Sequence, residues 1–267
     1  MKQLIRTDQI LHNWERIIGR IGKLYIPQQP DDSNSNFIWN ETTKVLQGRD
    51  FKTENGLFKI VFSVYDAQFQ FLNNQNATVY KVETDSRSTI AIIEDIKTFL
   101  KEQGLNVSNF DKELKFRFPE HIDGNHTMPL LNKEALKRWD LLRTGANKAI
   151  SNTLNQINKK SEIVLWPTNF DTGIYCEYDG NIEQYAGFAP ADEVSDSPYF
   201  YNSFYKNGKP VQPINLEKLP EGIWKHDTWN GAILPISSFS SDTTFLAVAT
   251  PFLVKSTQQL LTSIKEK

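Results

Sequence analysis

The sequence predicts an α+β protein built mostly from antiparallel sheet, with helices over 8–21, 88–103, 132–158 and 256–265 packed on it. Three observations carry that reading. Apolar residues recur at helical spacing in those four segments. Short runs that alternate apolar and polar residues lie between them, closed by Asn and Gly turns. These runs follow one another without a helix between each pair, which speaks against a doubly wound parallel sheet.

The first helix places Ile10, Leu11, Trp14, Ile17, Ile18 and Ile21 on one face, with Thr7 or Asp8 as its cap and Gly22 as its end. His12 flanks that stripe, where a solvated or hydrogen-bonded ring is the plain reading. After the polar loop DDSNSN come strand-like runs at 37–39, 44–46 and 57–72. The last run sets Tyr65, Ala67, Phe69 and Phe71 on one side and Asp66, Gln68 and Gln70 on the other. A turn at 73–76 then leads into 78–82 as an antiparallel hairpin.

The second helix buries Ile90, Ile93, Ile96 or Phe99, and Leu100, and stops at Gly104. A strand is expected over 113–118, followed by a connector holding Asp123 and His126. An Asp-x-x-His pair in a loop could ligate a metal or relay a proton, but two ligands do not make a site, and an exposed pair is the plainer reading. The long third helix carries Leu136, Trp139, Leu142, Ala146, Ile150, Leu154 and Ile157. Past a proline-rich turn region, strands are expected at 223–224, 229–236 and 244–248. A closing helix begins at Ser256, where Ser256 and Gln259 match a capping box.

We read 1–267 as a single domain, within which the shared order helix, strands, helix suggests related lobes at 1–118 and 132–267. No residue-level repeat accompanies that order. With 39% hydrophobic and 23% charged residues the composition is globular, and a net charge of -2 gives no electrostatic signature for nucleic acid or anionic lipid. No run approaches the ~18 apolar residues of a membrane span, and the first residues lack an export signal. The expectation is a soluble, cytoplasmic protein with no nucleic-acid or membrane partner, its oligomeric state left open. The lone Cys176 excludes an internal disulfide and a four-cysteine metal site.

The densest chemistry lies at 163–201. There Trp166, Pro167, Phe170 and Asp171, and then Phe188, Pro190 and Asp192, each end an apolar run on a carboxylate, as a pocket wall with a polar handle would. A turn through Asp179, Gly180 and Asn181 would bring both motifs back to one sheet edge. Asp171, Asp192 and His126 are the candidate acid–base residues, with Trp166, Phe170, Phe188, Tyr199, Tyr201 and Trp229 as candidate ligand-binding residues. Carboxylates that cap turns, and aromatics that fill a sheet core, are the bland alternatives. No phosphate-binding glycine loop, nucleophile elbow or complete metal-ligand motif is legible, so no cofactor and no metal are expected.

Several motifs in order resemble the bacterial domain-of-unknown-function family 5996. They are His12 and Trp14 with Gly19, Asp123 and His126, Trp139, and Trp166, Pro167, Phe170 and Asp171. Then come Phe188, Pro190 and Asp192, Pro198 with Tyr199, Phe200 and Tyr201, and Trp229 with Gly231, Ala232, Leu234 and Pro235. The resemblance spans about 10–248 and implies no activity, because the family has none established. Many members carry a histidine before the Phe-Asp pair; here that position is Asn169, which cannot titrate near neutral pH.

Two functional classes follow. One is a small-molecule-binding protein or enzyme with an aromatic-walled pocket carrying Asp171, Asp192 and His126; the other is a non-catalytic interaction protein using exposed aromatics. The first requires a concavity where those groups converge, the second a flat aromatic patch.

Overall fold

The computed structural model describes residues 1–112, 123–227 and 229–265, so the strand expected at 113–118 lies outside the described residues. Among the described residues are four α-helices and two antiparallel sheets of five and seven strands, an α+β fold with antiparallel sheets. None of those helices is long and apolar enough to cross a membrane. The chain divides into two compact units, one of Lys2–Asp140 with Leu165–Phe170, the other of Leu141–Val164 with Asp171–Lys267 and Met1.

In the first unit, α1 (Lys2–Tyr25) buries Ile10, Leu11, Trp14, Ile17, Ile18 and Ile21 as the spacing demands, but it is longer than 8–21 at both ends. Thr7 does not cap it; the Thr7 hydroxyl donates back to Gln3 O at 2.9 Å, inside the helix. Asp8 instead accepts from Trp139 Nε1 at 2.9 Å. Gly22 is an interior residue rather than a stop. A Cβ there would lie 2.4 Å from Asn34 O, so glycine is needed for close backbone approach.

The strands β1 (Ile38–Asn40), β2 (Val45–Thr53), β3 (Gly56–Ser63), β4 (Gln68–Asn73) and β5 (Thr78–Glu83) form a meander in chain order. The 57–72 run is therefore two strands. Phe62 pairs with Phe69, their rings 4.9 Å apart, and Tyr65, Asp66 and Ala67 make the turn instead of alternating between faces. Folding the run back lets both halves bury phenylalanines against each other, which alternation along one strand cannot reveal. The turn after β4 forms as expected, with Asn73 Oδ1 accepting from the Gln75 and Ala77 amides at 3.0 Å.

The helix α2 (Thr89–Glu102) starts where Ser88 Oγ accepts from Ala91 N at 3.2 Å, and Gly104 follows its end at φ 81°. Ile92, Ile96, Phe99 and Leu100 are buried, whereas Ile90 is exposed and Ile93 half-buried, so the apolar stripe is rotated from the expected one. The Phe99 ring sets the rotation by packing 4.3 Å from Phe71 and 4.8 Å from Tyr80.

In the second unit, α3 (Lys133–Gln156) contributes the residues from Leu141 onward, those up to Asp140 counting with the first. The second sheet comprises β6 (Val164–Trp166), of which only Val164 counts with this unit, β7 (Asp171–Tyr178), β8 (Ile182–Ala189), β9 (Tyr199–Lys206), β10 (Lys209–Pro210), β11 (Ile223–His226) and β12 (Asn230–Pro235). Its order is β11-β12-β9-β8-β7-β6, with β10 paired to β9. β7 and β8 turn on Asp179, Gly180 and Asn181 as the sequence predicts, with Gly180 and Asn181 at φ 78° and 56°.

The last element overturns two expectations. No strand forms at 244–248, and no helix starts at Ser256; a single helix, α4, spans Asp242–Lys265. Ser241 Oγ caps it by accepting from Thr244 N at 3.2 Å. Ser256 lies in its interior, donating to Leu253 O at 3.1 Å and accepting from Asn202 Nδ2 at 2.8 Å. Pro251 costs the helix about 3 kcal/mol. Burying Phe245, Ala249, Phe252, Leu253, Leu260 and Ile264 along one face outweighs that loss, since each large apolar side chain contributes about 1.5–3 kcal/mol.

Candidate functional site on the second sheet

Directly paired residues of an antiparallel sheet project from the same face. The register pairs Gly173 with Gly187 and Gly187 with Tyr201, then Tyr175 with Tyr185 and Tyr185 with Ser203, then Glu177 with Glu183 and Glu183 with Tyr205. Three rows thus cross β7, β8 and β9 on one face. The opposite face carries Gln184 and Phe188 to α4, where Gln184 Nε2 donates to Thr257 Oγ1 at 2.8 Å and the Phe188 ring lies 6.1 Å from that of Phe245.

At one end of the rowed face two aspartate–tyrosine couples stand together. The Tyr201 hydroxyl donates to Asp171 Oδ2, and the Tyr199 hydroxyl donates to Asp192 Oδ2 at 2.8 Å. Tyr201 crosses the sheet over two glycines: a Cβ on Gly173 or Gly187 would come within 2.7 or 2.9 Å of its hydroxyl oxygen. The groove opened by the glycines is therefore filled by the chain's own phenol. Asp192 also accepts from Val194 N at 2.8 Å and Ser195 N at 3.3 Å, so it caps its turn as well as holding Tyr199. Trp229 meets Tyr201 edge-on at 6.4 Å, and both pack against the small apolar cluster of Ala189, Tyr199 and Ile233.

Electrostatics at this end are set by burial. Desolvation raises the Asp171 carboxyl above its ordinary value, against the lowering influence of the Tyr201 hydrogen bond and the Arg143 guanidinium, while the Asp192 charge adds to the rise. Burial likewise lifts Tyr199 and Tyr201, with Asp192 and Asp171 respectively adding to the effect. Arg143 is fully buried, donating to Thr172 Oγ1 at 3.1 Å and lying 5.4 Å from the Phe188 ring centre.

The other end of the face carries three more tyrosines. Tyr175 and Tyr185 stand 5.2 Å apart, Tyr185 and Tyr205 5.5 Å, and Tyr185 is 39% exposed. The Tyr175 hydroxyl donates to Glu177 Oε1 at 2.9 Å and reaches Glu183 Oε1 at 3.4 Å.

The remaining expected site residues lie elsewhere. Phe188 is buried on the opposite face of the sheet. Trp166 is half-buried, and Phe170 sits at φ 56° in the core of the first unit, stacked 5.2 Å from His12 and 6.2 Å from Trp139. His12 is buried there, with Nε2 2.8 Å from Pro167 O and 3.3 Å from Glu15 Oε1. His126, also of the first unit, is exposed with Nδ1 3.2 Å from Asp123 Oδ2. Among the described residues no three His, Cys, Asp or Glu side chains converge to hold a metal. Two clefts of about 340 Å3, one beside Lys206 and Ile264 and one beside Asn13, Arg20 and Asn125, contain none of the expected site residues.

Sequence reasoning missed Glu177, Glu183 and Arg143. The glutamates were within reach: each lies three positions from Gly180, so the turn makes them cross-strand partners. Arg143 continues the buried stripe of α3 one turn after Trp139, and only packing reveals what it faces. Compared with known proteins, no family model, curated protein or solved structure matches this chain.

Proposed function

We propose that the protein is an interaction protein that docks another protein on the tyrosine end of the second sheet. The observation that carries this reading is the contact chain of half-buried Tyr175, exposed Tyr185 and half-buried Tyr205, three rings on three adjacent strands of one sheet face. Tyrosine suits such a role because it presents a large rigid apolar area with a polar tip, and it is enriched at interfaces. Replacing Tyr185 with the photo-reactive benzoylphenylalanine should crosslink a partner in cells. Titrated as a purified protein, that partner should bind the wild type and lose about 30-fold in affinity to Tyr185→Ala. No crosslinked protein, or equal binding by the variant, overturns the reading.

A second reading keeps the small-molecule class. What favours it is the buried Asp171 carboxyl, raised by desolvation and set between a tyrosine hydroxyl and an arginine, as groups tuned for proton transfer are. Asp171→Asn and Asp192→Asn, screened separately by thermal shift against a metabolite library, should both lose a stabilisation of several degrees that the wild type shows with one ligand. If no ligand stabilises the wild type, the two aspartates serve the fold alone.

A further inference from the structure

We infer that the tyrosine face recognises a cationic segment of its partner, with an arginine guanidinium seated between Glu177 and Glu183 and against the rings of Tyr175, Tyr185 and Tyr205. The inference rests on the docking reading above and adds the chemistry of the occupant. Glu177 and Glu183 are direct cross-strand partners on the same face. Two like charges in that position destabilise a sheet, and nothing in packing requires them, since Glu177 is exposed and Glu183 half-buried. Among the described residues neither carboxylate has a cation as partner; what they hold is the Tyr175 hydroxyl, at 2.9 and 3.4 Å.

Lys159, which bonds the Glu177 main chain, points elsewhere. Lys159 Nζ donates to the Glu177 main-chain oxygen at 2.5 Å and lies 4.0 Å from the Tyr178 ring centre, so it leaves both carboxylates uncompensated. The patch therefore offers a negative pair lined by aromatic faces. A guanidinium answers both features, because it stacks flat on aromatic rings and donates two parallel hydrogen bonds to carboxylates. An ammonium would satisfy the charge but not the plane. An acidic segment would be repelled, and an apolar one would leave the two carboxylates desolvated without compensation.

The test uses the whole protein and labelled glycine–serine peptides bearing arginine, lysine, aspartate or leucine, titrated by fluorescence anisotropy. The arginine peptide should bind most tightly, and Glu183→Gln and Tyr185→Ala should each weaken it by about tenfold. Glu134→Gln, which removes an exposed charge of α3, should leave binding unchanged. Equal loss with Glu134→Gln would mean attraction by net charge alone and overturns the inference. If the leucine or aspartate peptide binds best and loses affinity with Tyr185→Ala, the face still docks a protein but its occupant is not cationic. If no peptide responds to Tyr185→Ala, both readings fall.

The free protein supplies an independent readout. Glu177→Gln should raise Tm by about 2 °C by relieving the like-charge pair. A fall in Tm would show that Glu177 is satisfied within the sheet, and would overturn the cation site.

Discussion

Arg143→Ala should lower the free energy of unfolding by about 3–5 kcal/mol, the range observed when one member of a buried charge pair is removed. The side chain has no exposed surface, and its guanidinium acts on Asp171, bonds Thr172 and packs over Phe188. Truncation would leave Asp171 buried, with the Tyr201 hydroxyl and a backbone amide left to offset the desolvation of its charge. Urea denaturation followed by tryptophan fluorescence would read the change. Asp171→Asn made in the Arg143→Ala background should recover part of the loss, since the uncompensated charge is then gone. Strict additivity of the two substitutions would refute a coupling between Arg143 and Asp171.

The second large effect concerns a buried acid in the first unit and depends on pH. Glu15 has no exposed surface, and neither carboxyl oxygen has a hydrogen-bond partner among the described residues; His12 Nε2 lies 3.3 Å from its Oε1. Burial drives its pKa well above 4.5, with the Arg16 charge opposing. A group whose pKa is raised by folding contributes its full stability below its unfolded pKa and loses it as pH climbs toward the folded value. The wild type should therefore weaken from pH 5 upward through the neutral range on account of this residue. Glu15→Gln, which cannot ionise, should match the wild type near pH 4 and exceed it at pH 8 by about 1–3 kcal/mol. Thermal unfolding of both proteins across that range is the measurement. If Glu15→Gln is the less stable protein at pH 8, Glu15 is ionised there and held by the His12 imidazolium.

The same physical rule separates the two ends of the second sheet. Where Gly173 and Gly187 leave room, Tyr201 lies down and closes the groove, so Asp171 has an internal partner for its charge. Where Tyr175 and Tyr185 replace the glycines one row along, their rings pack side by side 5.2 Å apart and Tyr185 is exposed. A small residue under an aromatic buries a polar handle; a large one exposes it.

The α+β class and most of the elements were determined by the sequence alone, because both depend on short-range periodicity. The stripe of α1, the start of α2 near Ser88, and the turns at Asn73 and at Gly180 are each local patterns of side-chain spacing or backbone conformation. Knowing the turn at Gly180 is enough to place the Asp171 and Asp192 motifs at one end of a hairpin. Tertiary structure decided the rest. It folded 57–72 into two strands so that Phe62 could meet Phe69, rotated α2 to seat Phe99, and carried α4 through Pro251 because its buried face outweighed the broken helical bond. It drew Phe170 and His12 into a core that neither residue's neighbours in sequence foretell. Burial and cross-strand partnership are sums over residues distant in the chain, and the chemistry of this protein, in Arg143, Glu15 and the Glu177–Glu183 pair, is carried by those sums.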